Sequence, residues 1–155
     1  MGKERPTRAE LDPQILALYA KTFILRRDLY PIQLDNGTYV LVQTELTGNT
    51  VAAHLKGYVT IGAYALDPHG WAKWICFDAD DEKRWKGLLR LAKSLERASI
   101  APYLESSRRG GHLWLFTAPI PGFQIRRFGG QLLMEHKVPL KKGKSPGVEI
   151  YPKHF

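Results

Sequence analysis

Three short segments carry the side chains that could do chemistry. The first is Trp74-Ile75-Cys76-Phe77-Asp78-Ala79-Asp80-Asp81. In an extended strand alternate residues share a face, so Ile75, Phe77 and Ala79 point one way, and Asp78 and Asp80 the other. The apolar set suits a core beneath a helix. The acidic pair stands side by side on the opposite, open face. Two such charges repel and raise one pKa unless a cation sits between them. A hard divalent ion that prefers oxygen ligands, such as Mg2+, resolves that conflict. A solvated strand end accounts for the same Asp-x-Asp pattern without any metal. Asp81 faces away from the pair and directly precedes a helical pattern, which suits a cap better than a ligand.

The second segment is Ser107-Arg108-Arg109-Gly110-Gly111-His112-Leu113-Trp114. It joins two strands through a loop with a hydroxyl, two guanidiniums and two glycines. Glycines let backbone N–H groups approach an anion, and arginines grip phosphate oxygens in pairs. His112 shares a strand face with Trp114 and Phe116, while Leu113 and Leu115 go to the core. A basic hairpin tip in solvent, with His112 as an ordinary edge residue, is the competing reading. The third segment, Gly147-Val148-Glu149-Ile150-Tyr151-Pro152-Lys153, again alternates, so Glu149 and Tyr151 leave the core that Val148 and Ile150 enter.

The elements that must position these groups follow from periodicity and turn signals. Asp12-Pro13 starts a helix that runs to about Arg26. Asn36-Gly37 is a turn, Thr38 to Leu46 a strand, and Val51 to Leu55 a short helix capped by Thr50. A strand is expected around Tyr58 to Leu66, followed by the turn Asp67-Pro68-His69-Gly70. Then come a strand from Trp71 to Asp80 and a helix from Lys83 to Ser99. A strand from Ala101 to Glu105, a loop and a strand from His112 to Thr117 follow. A helix from Phe123 to about Glu135 and a basic loop lead to the last strand, Val148 to Tyr151. The order β-α-β-β-α-β is the ferredoxin-like split unit. In that unit the first and third strands are central neighbours and the fourth pairs with the first, which brings Glu149 to the two aspartates.

Composition bounds the possibilities. The chain has 155 residues, with 23 Lys+Arg against 15 Asp+Glu, a net charge of +8. Hydrophobic residues make up 44% and charged residues 25%, which excludes wholesale disorder. Cys76 is the single cysteine, so there is no internal disulfide framework and no all-cysteine zinc site, and a reducing cytoplasm is the expected compartment. The apolar run from Ile15 to Leu25 is interrupted by Lys21 and too short to span a bilayer, and the polar first residues are not a signal peptide. The positive balance favours a polyanionic partner and no membrane.

Phe77-Asp78-Ala79-Asp80, Ser107-Arg108-Arg109-Gly110-Gly111-His112-Leu113-Trp114 and Val148-Glu149-Ile150-Tyr151-Pro152-Lys153 together resemble, in order and spacing, the signatures of the archaeo-eukaryotic primase (primase-polymerase) superfamily. Those signatures are a hydrophobic-D-x-D strand, an S-x-H-type motif and a hydrophobic-acid strand. The sequence is most similar to the primase domain of TOTE conflict systems, in which the third acid is typically Glu followed by Y/F-P-K. Arg26-Arg27-Asp28, His54-Leu55-Lys56-Gly57 and Ile61-Gly62-Ala63-Tyr64 extend the likeness over about Leu18 to Lys153.

The resemblance implies an α+β chain: an RRM-like, ferredoxin-like split β-α-β catalytic sheet with an N-terminal α/β extension, the archaeo-eukaryotic primase fold. On that reading residues 1–10 are a flexible N-terminus and 11–155 the catalytic domain, with an α/β part over about 11–70 and the RRM-like part over about 71–155. It implies that Asp78, Asp80 and Glu149 are catalytic and hold two divalent ions, Mg2+ or Mn2+, for nucleotidyl transfer. Ser107, Arg108, Arg109 and His112 would bind the triphosphate of the incoming dNTP or NTP, with Lys153 as a further phosphate contact and Ser106 as the alternative serine. His54 and Arg27 have either a template-contacting or a structural role, and Trp114 either lines the active face with Tyr151 or packs in the core. The implied partners are single-stranded or primed DNA, RNA as an alternative template, and a helicase or nuclease of the same system.

Two departures stand out. The chain stops at Phe155, just after the third motif, where relatives continue, so a fragment, a short protein and one piece of a larger system are all open. There is also no cysteine set for the zinc-bearing insertion of some primases. Two other functions compete. One is a non-catalytic, RRM-like module that binds single strands on sheet aromatics, although the aromatic-rich RNP1 pattern is missing. The other is a metal-dependent nicking nuclease, which would want a His-x-His pair or a tyrosine nucleophile, and only Tyr151 is placed for that.

Overall fold

The computed structural model describes residues 10–153, so the flexible start expected for residues 1–10 lies almost wholly outside the described residues. The chain divides into two compact units, one running to Tyr64 and the other from Ala65.

In the first unit, α1 (Pro13–Phe23) begins where Asp12 accepts a 2.8 Å hydrogen bond from the Gln14 N–H, with Pro13 at the first helical position. It stops short of the expected Arg26 because Ile24 turns extended and is buried with Ala20. Strands β1 (Tyr30–Gln33), β2 (Tyr39–Val42) and β3 (Thr60–Ile61) form an antiparallel sheet in the order β2-β1-β3. The central strand β1 is unanticipated, because Pro31 disguises it as a break. Its carbonyl nevertheless accepts from the Gly62 N–H at 2.8 Å. The long strand expected over 38–46 shrinks to four residues, and Leu46 leaves it to enter the core. The strand expected over 58–66 shrinks to two.

Helix α2 (Gly48–Leu55) begins earlier than expected. Its cap is Thr47 and not the expected Thr50; the Thr47 hydroxyl accepts from the Thr50 N–H, so Gly48 and Asn49 are the first helical residues. Ala20, Ile24, Tyr30, Leu46, Val51 and Ile61 form the core of this unit.

The second unit runs β4 (Trp71–Ala79), α3 (Glu82–Arg97), β5 (Tyr103–Ser106), β6 (Gly111–Pro121), α4 (Gly122–Glu135) and β7 (Glu149–Tyr151). Its antiparallel sheet has the order β5-β6-β4-β7, with the first and third strands of the unit central and the fourth beside the first, as the split β-α-β pattern requires. Ile75, Phe77 and Ala79 of β4, Leu113 and Leu115 of β6, and Ile150 of β7 are buried against Leu88, Leu91 and Leu95 of α3 and Ile125 and Leu133 of α4. Both helices therefore cover one face. A bulge between Ala72 and Trp74 resets the alternation of β4, which lets Ala72 join that core too. Gly129 brings α4 down onto the sheet, since a Cβ there would collide with the Ile75 side chain.

The opposite face is less open than the alternation alone suggests. Trp74 and Cys76 are each only 4% exposed, and Trp74 packs edge-on against Trp114 at 5.1 Å. Burial pushes the Cys76 thiol far above its ordinary pKa, which leaves it inert as a nucleophile. The acidic groups lie at the end of the sheet that carries Asp78. Among the described residues no helix is long and apolar enough to cross a membrane.

Candidate active site

Strand register places the candidate residues. Asp78 lies opposite His112 on one side and opposite Glu149 on the other, so three side chains from three strands meet in one row across the sheet. Asp80 sits just past the end of β4, in the bend before α3. Asp81 caps α3 as expected, accepting from the Arg84 N–H at 2.9 Å.

The acids are held by a net of cations. Glu149 pairs with Lys141 Nζ at 2.8 Å and with Lys153 Nζ at 2.7 Å, and it accepts from the Tyr151 hydroxyl at 3.0 Å. Lys141 Nζ also lies 3.5 Å from Asp80, whose other oxygen lies 3.4 Å from Arg109 Nη2. His112 Nε2 is 3.4 Å from Asp78, while its Nδ1 is 2.9 Å from Glu105 Oε2. The same Glu105 oxygen accepts from Trp114 Nε1 at 3.1 Å.

The electrostatics differ from acid to acid. Lys141 and then Lys153 pull the Glu149 carboxyl down to about 2, outweighing its burial. Burial moves Asp78 the other way, above the ordinary aspartate value; the charges of Asp80 and Glu149 add to the rise, and His112 and Lys141 oppose it. Burial works to raise Glu105 as well, but its hydrogen bonds from His112 and Trp114 prevail and its pKa is lowered. Like-charge strain at Asp78 and cations gathered at its neighbours mark a site that wants positive charge.

The basic hairpin behaves differently from a simple anion cradle. Ser107 and Gly110 close a turn on each other: the Ser107 N–H donates to the Gly110 carbonyl at 3.0 Å, and the Gly110 N–H donates to Ser107 Oγ at 3.2 Å. A Cβ at Gly110 would run into the Ala79 carbonyl, so this glycine is explained by close packing beside the acidic strand. The turn presents Arg108 to solvent and swings Arg109 back to Asp80. Of the proposed phosphate ligands, Arg109, His112 and Lys153 are thus brought against the acids, Ser107 shapes the turn, and Arg108 stands at its tip.

His54 belongs to the first unit's own packing. Its Nε2 is 3.2 Å from the Tyr19 hydroxyl, and its Nδ1 lies within reach of the Val59 carbonyl and the Ile61 N–H. Arg27 contributes its carbonyl to the Leu46 N–H, and the neighbouring Arg26 makes a two-pronged pair with Asp28 at 2.7 and 2.9 Å.

Two side chains of the candidate site lie outside the residues that the sequence singled out. Glu105 could have been found by counting register back from the Ser107–Gly110 turn, which sets it opposite His112. Lys141 carried no such signal, being one of three lysines in Lys141-Lys142-Gly143-Lys144. Its place depends on a loop closure in which the Lys141 N–H donates to the Val148 carbonyl at 2.9 Å and Leu140 bridges to Val148. Arg126 of α4 anchors β7 from behind, donating through Nη1 to the carbonyls of Ile150 at 3.0 Å and Pro152 at 2.9 Å. With Lys141, Glu149 and Lys153 it lines a cleft of about 240 Å³ beside the acids.

Among the described residues no three His, Cys, Asp or Glu side chains are drawn together tightly enough to hold a metal ion. The chemistry of the donor set nevertheless fits one. Asp78, Asp80 and Glu149 offer only carboxylate oxygens, the ligands hard divalent cations prefer, and a cation already bridges Asp80 and Glu149 in the form of the Lys141 ammonium.

The second unit is thus an antiparallel split β-α-β sheet with acids at one end. Residues 14–154 match the family described as the TOTE conflict system archaeo-eukaryotic primase domain, and the chain belongs to that family. Comparison with curated proteins gives no match. Among solved structures, the chain is similar to the polymerase domain of Mycobacterium tuberculosis ligase D in complex with DNA, at 10% identity and a TM-score of 0.44. The match covers 85% of this chain and 65% of that one, so the chain spans somewhat less than two thirds of that domain.

Proposed function

We propose that this chain carries out metal-dependent, template-directed nucleotidyl transfer from nucleoside triphosphates, as a primase-polymerase on the archaeo-eukaryotic primase fold. The observation that carries the reading is the meeting of Asp78, Asp80 and Glu149 at one end of the sheet, surrounded by Lys141, Lys153, Arg109 and His112. Asp78, Asp80 and Glu149 would hold the divalent ions, Mg2+ or Mn2+. When bound, such ions activate a primer 3′-hydroxyl and stabilise the departing pyrophosphate.

The chain's own groups do the rest. Arg109 and Lys153, placed against the acids, take the triphosphate oxygens once the acids are neutralised by other cations. His112 is held between Glu105 and Asp78, which fixes its ring at the edge of the nucleotide site. Tyr151 steadies Glu149 through its hydroxyl. The template is single-stranded or primed nucleic acid.

The direct test is extension of a labelled primer on a template strand with Mg2+ or Mn2+. Asp78→Ala, Asp80→Ala and Glu149→Ala should each lower extension by at least about 100-fold, the scale of losing several kcal/mol of transition-state stabilisation, while folding is retained. Undiminished extension in these variants would remove the proposed site. Nucleic-acid binding that resists EDTA, without nucleotide binding, would point to a non-catalytic module on the same sheet. Strand cleavage without extension would point to a nicking nuclease.

A further inference from the structure

Lys141 holds a position that the acidic site, taken as a metal site, does not need. An ammonium there competes with a divalent cation for the same oxygens, and Lys141, unlike Lys153 with its contact to Glu149, reaches two acids at once. Lys141 Nζ sits 2.8 Å from Glu149 and 3.5 Å from Asp80, bridging two of the three acids. Its backbone is fixed there. The Lys141 N–H donates to the Val148 carbonyl, the Val148 N–H donates to the Pro139 carbonyl at 2.7 Å, and Gly147 permits the close approach, since a Cβ would collide with the Lys141 backbone. Among the described residues, the neighbouring Lys142 and Lys144, exposed on the same loop, pair with no acid.

We infer that Lys141 is an intramolecular placeholder: in the free protein its ammonium occupies the place of a divalent cation between Asp80 and Glu149, and it must withdraw for the cation to load. The inference rests on the reading of Asp78, Asp80 and Glu149 as the metal site. Its physical basis is that these carboxylates, left bare, repel one another across adjacent strands. A tethered ammonium offsets that repulsion with a single charge. A divalent ion offsets it better and displaces the ammonium, whose flexible four-carbon stem lets Nζ swing while the pinned backbone stays in place. The device keeps the sheet end folded without metal and sets a threshold for loading.

The test needs no catalysis. Mn2+ binding to the free protein is followed by loss of the free-ion paramagnetic resonance signal, for wild type, Lys141→Met, Lys141→Gln, Lys144→Met and Asp80→Ala. Both Lys141 variants should bind Mn2+ about fivefold more tightly, the scale of a partly exposed ion pair removed from competition. Lys144→Met, which removes the same charge from the same loop, should leave affinity unchanged, and Asp80→Ala should lose binding. If wild type binds, Asp80→Ala loses binding and both Lys141 variants match wild type, the placeholder fails and the metal site stands. A Lys144→Met variant that tightens as much as Lys141→Met overturns the placeholder in favour of the loop's general field. Binding that persists in Asp80→Ala, or is missing in every chain, overturns the metal site as well.

Discussion

At the scale of single residues, Asp78 concentrates the conflict between stability and function. It is half-buried beside two other acids, and burial raises its carboxyl above the ordinary 3.8. A raised folded-state value means that ionised Asp78 opposes folding at neutral pH. The cost is full above the folded value and vanishes as pH falls below the ordinary one. Asp78→Asn should therefore melt higher than wild type at pH 7 in EDTA, a gain that fades as pH falls below the ordinary aspartate range, while primer extension is lost. A melting point that falls at neutral pH would contradict the assignment of strain to this carboxyl. Glu149 lies on the other side of the balance, since Lys141 and Lys153 keep it ionised down to about pH 2. The positions of Asp78 and Glu149 were readable from alternation within their strands. Glu105 was readable only by counting register across the Ser107–Gly110 turn, and Lys141 not at all, because its role comes from a loop closure.

At the scale of elements, the capped helix α3 determines where the acidic strand ends. Asp81 accepts from the Arg84 N–H through Oδ1, and its Oδ2 lies 3.3 Å from Arg84 Nη1. The cap stops β4 directly after Asp80 and turns the chain over the sheet. Asp81→Ala should lower stability by about 1 kcal/mol, or roughly 2–4 °C in melting temperature, whereas Asp81→Asn should keep most of it. The capping hydrogen bond holds the Asp81 carboxyl below its ordinary range. The carboxylate's contribution is thus present above that range and lost as pH falls through the depressed value, so in strong acid wild type should fall to the level of Asp81→Ala, while Asp81→Asn, which does not titrate, keeps its advantage. The elements of the second unit agree with the sequence pattern to within a few residues, because long amphipathic segments such as α3 carry their own periodicity. Those of the first unit agree less. Its strands are two to four residues long, and its central strand contains a proline.

At the scale of the molecule, a net charge of +8 on 155 residues acquires a location, with Lys141, Lys153 and Arg109 set directly against the acids. If these and the other exposed cations hold a nucleic-acid backbone, affinity for a single-stranded oligonucleotide should fall steeply, by at least about tenfold, between roughly 50 and 200 mM salt. An affinity that barely changed over that range would exclude phosphate neutralisation as the source of binding. By itself the sequence determined the β-α-β-β-α-β order, the faces on which Asp78, Glu149 and His112 lie, and membership of an archaeo-eukaryotic primase family, because alternation and motif order are local and survive without coordinates. Only the tertiary structure decided that Trp74 and Cys76 close part of the supposedly open face, that Ser107 and Gly110 are spent on a turn, and that Lys141 bridges Asp80 and Glu149. These outcomes depend on strand register, on a bulge and on a loop brought back over many residues, and such non-local closures leave no periodic mark in the chain.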